Sequence, residues 1–345
     1  MGAAVHDTGL RPPIHGATEK PVLAATYVLP LATTDDDIDE LARYLHDLVD
    51  VVDQVIVVDG SPEDHLLRHR AAFPPAVELC PPEERTPNGK VGGVLTGLAR
   101  ARHEKVVIAD DDVRYRPDEL LRVLTLLDQA EVVRPQNHFE PRPWHAVVDT
   151  SRTLLNRLAG GDWSGTLGVH RSAVERAGGY AGDVMFENLE LVRAIRATGG
   201  REVVPLDLYV TRIPPSAHQF RTQQVRQAYD EQARPWRLLP ILAIAPVLAT
   251  ALHRRAIARV GAGAAGLVLL AEAGRRRGGG RQHFSAVAPL IAPAWLVWRS
   301  LCTWAALGAR ARGGVRYRDQ RIRRAARTSA WQSALGQARL RQRDR

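Results

Sequence analysis

Between residue 22 and about residue 208 the chain alternates short unbroken apolar runs with longer stretches in which apolar residues return every third or fourth position. The runs 22–29 (VLAATYVL), 54–58 (QVIVV) and 105–109 (KVVIA) end at Pro30, Asp59 and Asp110, and 131–134 is a shorter candidate. Apolar runs of this length, closed by polar or breaker residues, suit strands buried on both faces. The stretch 38–48 places Ile38, Leu41, Leu45 and Leu48 on one helical face, with Asp35 or Asp36 as the candidate N-cap. Strand and helix in alternation predict an α/β fold, a mostly parallel sheet with flanking helices whose ligands lie at the carboxyl ends of the strands. Polar residues collect at that edge.

Past residue 236 the pattern changes. The runs 238–252 (LLPILAIAPVLATAL), 260–271 (VGAGAAGLVLLA) and 285–298 (SAVAPLIAPAWLVW), the last continuing beyond Arg299 to residue 309, are separated by HRR and RRRGGGR. Each uncharged run falls short of the roughly 20 residues of a comfortable span. They predict membrane-embedded, re-entrant or interfacial helices held by Arg at the headgroups, with buried helices of a soluble protein as the alternative. Charge supports the first reading. From Arg237 onward 21 Arg, no Lys and three acidic residues leave +18, so the preceding 236 residues carry −9 within a total of +9. An acidic body with an Arg-only tail points to an anionic membrane surface; nucleic acid is disfavoured, because its binders need no Pro- and Trp-bearing apolar stretches between basic clusters.

At 345 residues the chain accommodates a catalytic domain of about 200–250 residues with an appendage. Cys80 and Cys302 form no CxxC pair, which excludes a disulfide framework and a cysteine-based zinc site. The first twenty residues hold Arg11, Lys20 and two adjacent prolines but no apolar core, so no signal peptide is expected and the body is expected in the cytoplasm.

The run Asp110, Asp111, Asp112 directly follows KVVIA. Side chains alternate in an extended segment, so Asp110 and Asp112 can share a divalent ion while Asp111 points away; hard carboxylate oxygens suit Mn²⁺ or Mg²⁺ bound together with phosphate. Upstream, Asn88, Gly89 and Lys90 lead into a helix, and Lys90 can reach a phosphate there, although GxxxxGK[ST] spacing is absent.

In order along the body stand YVLP at 27–30, VVDGS at 57–61, Gly89-Lys90 with Gly97, Asp110-Asp111-Asp112, WSGTLGVHR at 163–171 and GGY at 178–180. This series resembles the family-2 inverting glycosyltransferases of GT-A fold, with its Rossmann-like sheet, and in particular their membrane-associated, ceramide-glucosyltransferase-like branch. The resemblance implies that Asp59 touches the base or ribose of a nucleotide-sugar, that Pro30, Lys90 and Asp111 line the donor site, and that Asp110 and Asp112 hold the metal on the diphosphate. Where the family has an acidic ED pair, this chain has Glu187-Asn188, and an amide cannot serve as a general base. Glu187, or Glu190 one turn on, is then expected to take the proton. Gln223 and Arg226 match the family's QxxRW element, with Gln227 in place of tryptophan, and His218 is a candidate additional metal ligand. Gly314, Tyr317 and Arg318 resemble a G-x-x-Y-R element that follows the membrane segments, with Arg316 and Arg318 suited to an interfacial helix.

The organisation expected is an extension at 1–20, a catalytic domain at 21–215, a coupling helix at 216–236, membrane segments at 237–309 and a basic tail at 310–345. The activity implied is inverting transfer of a hexose from a nucleotide-sugar donor to a hydroxyl of a lipid-linked or membrane-proximal acceptor, on the cytoplasmic face of the membrane. A nucleotidylyltransferase and a non-catalytic nucleotide-sugar-binding membrane protein are the alternatives. The first normally carries a Gly-rich basic loop after strand one, which LATTD at 31–35 does not supply; only Asn188 favours the second.

Overall fold

The computed structural model describes residues 22–317 and 320–327. Its main sheet has seven strands in the order Val77–Cys80, Val52–Asp59, Leu23–Leu31, Lys105–Ala109, Thr166–His170, Val132–Val133 and Glu202–Val203. The first four are mutually parallel, and Thr166–His170 runs antiparallel to both its neighbours. The sheet is buried on both faces by alternation within each strand. Leu29, Val57 and Val107 pack on one side with Leu45 and Val123, while Val28, Val106 and Ile108 pack on the other with Val94 and Ile195. On that second side the helix Gly89–Arg100 lies so close to the central strand that a Cβ at Gly97 would stand 2.3 Å from Val28 Cγ1.

The strand Lys105–Ala109 coincides with the expected run, whereas the central strand continues through Pro30 to Leu31. The first helix, Asp39–Val49, buries Leu41, Leu45 and Leu48 as its periodicity predicts, but neither Asp35 nor Asp36 caps it. Asp35 and Asp37 instead accept backbone N–H groups two residues on, and Asp36 pairs with Arg68, so the acidic run is spent on consecutive Asx turns and a surface ion pair.

The three apolar runs form helices Pro235–His253, Ile257–Arg276 and Ala288–Ala311, each long and apolar enough to cross a membrane. The third is two-faced. Ala288, Ala292, Trp295, Arg299, Cys302 and Ala306 are buried at helical spacing, and Leu290, Trp298, Leu301 and Trp304 are exposed. Its buried stripe docks on helix Trp144–Leu158, where Ser151 Oγ donates to the Ala288 carbonyl at 2.9 Å. From the same helix the fully buried Arg157 donates through Nε to the Gly274 carbonyl of the second apolar helix at 3.1 Å.

The segment after the third helix is not the interfacial helix expected around Arg316. Gly313 and Gly314 take positive φ, and Val315–Tyr317 pairs antiparallel with Gln320–Ile322 as a hairpin; Arg318 lies outside the described residues, as do 1–21 and the tail beyond 327. The chain then returns to the body. Met185 and Phe186 N–H donate to the carbonyls of Arg324 and Ala325, and Tyr229 Oη donates to that of Arg323 at 2.6 Å.

Candidate active site

A continuous cleft of about 870 Å³ opens at the carboxyl ends of the parallel strands and runs from Pro30 past the acidic run to Arg299 of the third apolar helix and Tyr317 of the hairpin. Its floor is set by the strand Lys105–Ala109, whose end delivers Asp110, Asp111 and Asp112 into the cleft. A second, three-stranded sheet made of Val113–Arg114, Tyr209–Arg212 and Gln136–Phe139 pairs Arg212 with Val113, which carries the Arg212 guanidinium onto Asp112. Arg212 Nε lies 3.1 Å from both carboxylate oxygens, and Nη2 closes the fork.

Lys90 holds the opposite side. Asn88 is the N-cap of helix Gly89–Arg100, its side chain accepting from Lys90 N, so Lys90 stands on the first helical turn rather than in a loop. Its ammonium is 2.5 Å from Asp110 Oδ1 and 2.7 Å from Glu187 Oε1. Burial works against that charge, but Asp110 and Glu187 outweigh it and raise the lysine above its ordinary range. Gly165 makes the approach possible: at φ +71° a Cβ would fall 2.7 Å from Asp110 Oδ2 and against Arg212. Asp111 is exposed to the cleft and crowded by its neighbours; desolvation, then the charges of Asp112 and Asp110, push its carboxyl up to about 6.

Pro30, Lys90, Asp110, Asp111, Asp112, Glu187, Gln223 and Arg226 all line the cleft. Three other expectations require correction. Asp59 does not face a ligand: it is buried beneath the cleft, its carboxylate 2.5 Å from His69 Nδ1 and accepting Ser61 N–H at 2.9 Å, so it braces the turn that presents Gly60. Glu190 is 2% exposed and turned into the protein, where Oε2 accepts the Arg327 N–H at 2.9 Å, which removes it as an understudy base. His218 is exposed on helix Ala217–Tyr229 and does not line the cleft. Asn188 does line it, beside Glu187 on the first turn of helix Glu187–Ala197.

Sequence reasoning passed over Arg212, Arg152, Asp230, Arg234 and Arg299, all of which line the cleft. Arg152 joins Asp149 and Asp162 at 3.0 and 2.7 Å, and Glu231 is within 3.5 Å of Arg234 and 3.4 Å of Arg237. Asp230 forms no ion pair or side-chain hydrogen bond among the described residues, and its Oδ1 is buried without a partner. Desolvation, reinforced by the charge of Glu187, pushes its carboxyl up to about 8. For Arg299 the sequence did hold a signal, since a lone Arg inside an apolar helix at the spacing of Ala288, Ala292 and Trp295 belongs to the docking face.

Asp110 and Asp112 bring two hard-oxygen carboxylates to one wall, and the cations now set against them, Lys90 and Arg212, show that the wall is built to hold positive charge. This donor set fits Mn²⁺ or Mg²⁺. Among the described residues no group of three His, Cys, Asp or Glu side chains converges on a metal position, so the remaining ligands would come from phosphate oxygens and water.

No curated protein matches the chain. Among solved structures it is similar to the mannosyltransferase PcManGT from Pyrobaculum calidifontis in complex with GDP-Man and Mn²⁺, at 18% identity and a TM-score of 0.45 over 96% of this chain and 88% of that one. It is also similar to glucosyl-3-phosphoglycerate synthase from Mycobacterium tuberculosis in complex with Mn²⁺, UDP and glucosyl-3-phosphoglycerate, at 18% identity and a TM-score of 0.40 over 59% and 78%. A third is mannosyl-3-phosphoglycerate synthase from Rubrobacter xylanophilus, at 16% identity and a TM-score of 0.41 over 59% and 71%. Residues 34–157, which contain Lys90 and the acidic run, match the model of Glycosyl transferase family 2.

Proposed function

We propose that the protein transfers a hexosyl group, with inversion, from a nucleotide-sugar to a hydroxyl of a lipid-linked or membrane-proximal acceptor. The observation that carries this reading is the continuity of the cleft: one end is the Lys90–Asp110–Asp112 wall within the family 2 stretch, the other is Arg299 in an apolar helix. Donor and acceptor can thus meet without the acceptor leaving the membrane surface.

In this reading Asp110 and Asp112 hold the divalent ion, Lys90 and Arg212 keep those carboxylates in place, and Pro30 and Asp111 border the donor. The ion, when bound, neutralises the leaving nucleoside diphosphate as a Lewis acid. Gln223 and Arg226 present an amide and a guanidinium to the cleft, Arg226 lying over the Tyr317 ring at 5.6 Å, where charge-assisted hydrogen bonds can grip phosphate. Glu187 positions Lys90.

The expected division into a catalytic part ending near residue 215, a coupling helix and membrane helices is supported by the helix boundaries at Ala217 and Pro235. Membrane attachment is supported by the exposed Leu239, Val247, Leu269 and Leu290, 64–71% open, with Arg254, Arg255 and Arg276 at the helix ends. The chain joins the catalytic body both before the first apolar helix and after the third, through residues 323–325. Three independent crossings would leave those two ends on opposite sides, so the reading is of helices embedded in one leaflet or re-entrant, with the body and residues 323–325 together on the cytoplasmic side. Embedding from one side with a membrane-associated catalytic body agrees with kinship to the ceramide-glucosyltransferase-like branch.

Equilibrium binding of a nucleotide-sugar panel to detergent-solubilised protein, with and without Mn²⁺, tests this. Metal-dependent binding of at least one donor is expected, and binding of free nucleoside triphosphates in preference to every nucleotide-sugar would refute it.

A further inference from the structure

Five carboxylates of the inner cleft are already matched with cations. Asp110 and Glu187 share Lys90, Asp112 holds Arg212, Asp149 holds Arg152, and Glu231 lies between Arg234 and Arg237. Asp230, one residue before Glu231, has no cation within ion-pairing distance and no hydrogen-bond donor among the described residues. It is not alone in lacking partners. Gln227 Oε1, Arg234 Nε and Arg299 Nε and Nη1 are also buried without hydrogen bonds, and these three residues line the cleft with Asp230 where it meets the third apolar helix. Arg299 is only 2% exposed. Buried polar atoms are nearly always satisfied, so orphaned donors and acceptors gathered at one end of a cleft mark a place for a ligand that offers both, as a hydroxyl does.

We propose that Asp230 is the proton acceptor for the attacking hydroxyl, in an acceptor subsite completed by Gln227, Arg234 and Arg299; this rests on the glycosyl-transfer reading above. The acceptor oxygen forms its bond to the anomeric carbon while its proton passes to the Asp230 carboxylate. The bond from that carbon to the diphosphate oxygen breaks, and its electron pair leaves with the nucleoside diphosphate. No oxidant or further reactant is needed. The assignment supplies the carboxylate that Asn188 withholds, and it differs from Glu187 in one decisive respect: Glu187 is engaged by an ammonium at 2.7 Å, whereas Asp230 is free to take a proton. The groups acting on Asp230 are Glu187 at the start of helix Glu187–Ala197, Glu231 and Arg234 from the short helical turn that Asp230 itself opens, and Arg299 from the apolar helix. Burial and Glu187 place its titration at about 8, close to the working pH a general base requires.

The test uses full-length protein in detergent with Mn²⁺ and UDP-glucose or GDP-mannose. Nucleoside diphosphate release is followed first with water as acceptor and then with added membrane lipid extract. Asp230→Asn should lower the rate by about 10²–10⁴ and leave donor affinity within about twofold. The wild type should show an acid limb of kcat/KM near pH 8 that Asp230→Asn removes, and Asp230→Glu should restore part of the rate. A variant with wild-type rate and an unchanged acid limb overturns the proposal; if Glu187→Gln is then the inactive one, the base is Glu187. Loss of rate in proportion to loss of donor affinity also overturns it, since that marks a structural role. Failure of the wild type to bind or turn over any donor is a separate result, which removes the glycosyl-transfer reading itself.

Discussion

Replacing Lys90 with Met strikes the point on which both walls of the cleft depend. The ammonium lies 2.5 Å from Asp110 and 2.7 Å from Glu187, and the three side chains are only 15–24% exposed. Removing it leaves two carboxylate oxygens no more than about 5 Å apart with no cation between them; at an effective dielectric of about 20 that repulsion is about 3 kcal/mol. The figure agrees with the roughly 3–5 kcal/mol usual for orphaning a buried charge. The fold raises the proton affinity of Lys90, so its stabilisation is fully present below the ordinary lysine value of 10.5 and is lost only as pH rises through the higher folded value. Between roughly pH 5 and 9 the wild type should therefore gain or lose nothing through this group. Lys90→Met should be less stable by about 3 kcal/mol at neutral pH in urea titrations of the detergent-solubilised protein. The deficit should shrink in acid, as one of the facing carboxylates takes a proton, and Mn²⁺ should stabilise the variant more than the wild type by standing in for the missing charge. A variant as stable as the wild type, or a deficit insensitive to both pH and Mn²⁺, would refute the reasoning.

Asp110→Ala and Asp112→Ala should each abolish metal-dependent donor binding in calorimetric titration, and Asp111→Ala, whose carboxylate faces the open cleft, should be milder; equal losses would count against the pairing. Gly165→Ala should lower stability by about 1–3 kcal/mol and weaken donor binding, because its Cβ meets Asp110 Oδ2 at 2.7 Å on a backbone at φ +71°; an unchanged melting curve contradicts this. Asp230 titrates at about 8 against an ordinary 3.8, so the folded state keeps a proton that the unfolded chain releases, and stability falls as pH rises between those values. Asp230→Asn should then be the more stable protein at pH 8 by about 2–5 kcal/mol, with the gap closing toward pH 4, and a less stable variant at pH 8 would deny the burial penalty. Single cysteines introduced at Gly279 and Gly313, on a background lacking Cys80 and Cys302, should be labelled by an impermeant thiol reagent from the same side of the vesicle; labelling from opposite sides would contradict the one-sided arrangement.

Local patterning was readable where chain neighbours alone decide the outcome. The run KVVIA became the strand Lys105–Ala109 residue for residue, because an apolar stretch closed by carboxylates has few other places to go, and the acidic run consequently stands at the ligand-binding edge. The same holds for the three apolar helices. What the sequence concealed depends on contacts far apart along the chain. Arg212 and Asp112 are 100 residues apart, and the small second sheet that joins them has strands of two and four residues, too short to show a period. The resemblance implied that Asp59 touches the base or ribose of a donor, yet His69 on the following helix pairs with its carboxylate beneath the cleft. Glu187 and Glu190 share a helix, but the segment 324–327 packs against one side of it, so one carboxylate enters the cleft and the other caps a backbone N–H. Arg316 was expected in an interfacial helix, but two glycines with positive φ lead out of the third apolar helix just before it, and it lies on a strand paired with Gln320–Ile322 instead.

The central claim is sugar transfer to a membrane-proximal acceptor, and it is tested most directly by incubating membranes that contain the full-length protein with radiolabelled nucleotide-sugars and Mn²⁺ or Mg²⁺, then measuring label in the lipid extract. Label should pass from one nucleotide-sugar into lipid, in a reaction stopped by chelator and by Asp110→Ala. Pyrophosphate release from a nucleoside triphosphate and a sugar phosphate, with no label in lipid from any donor, would contradict the account.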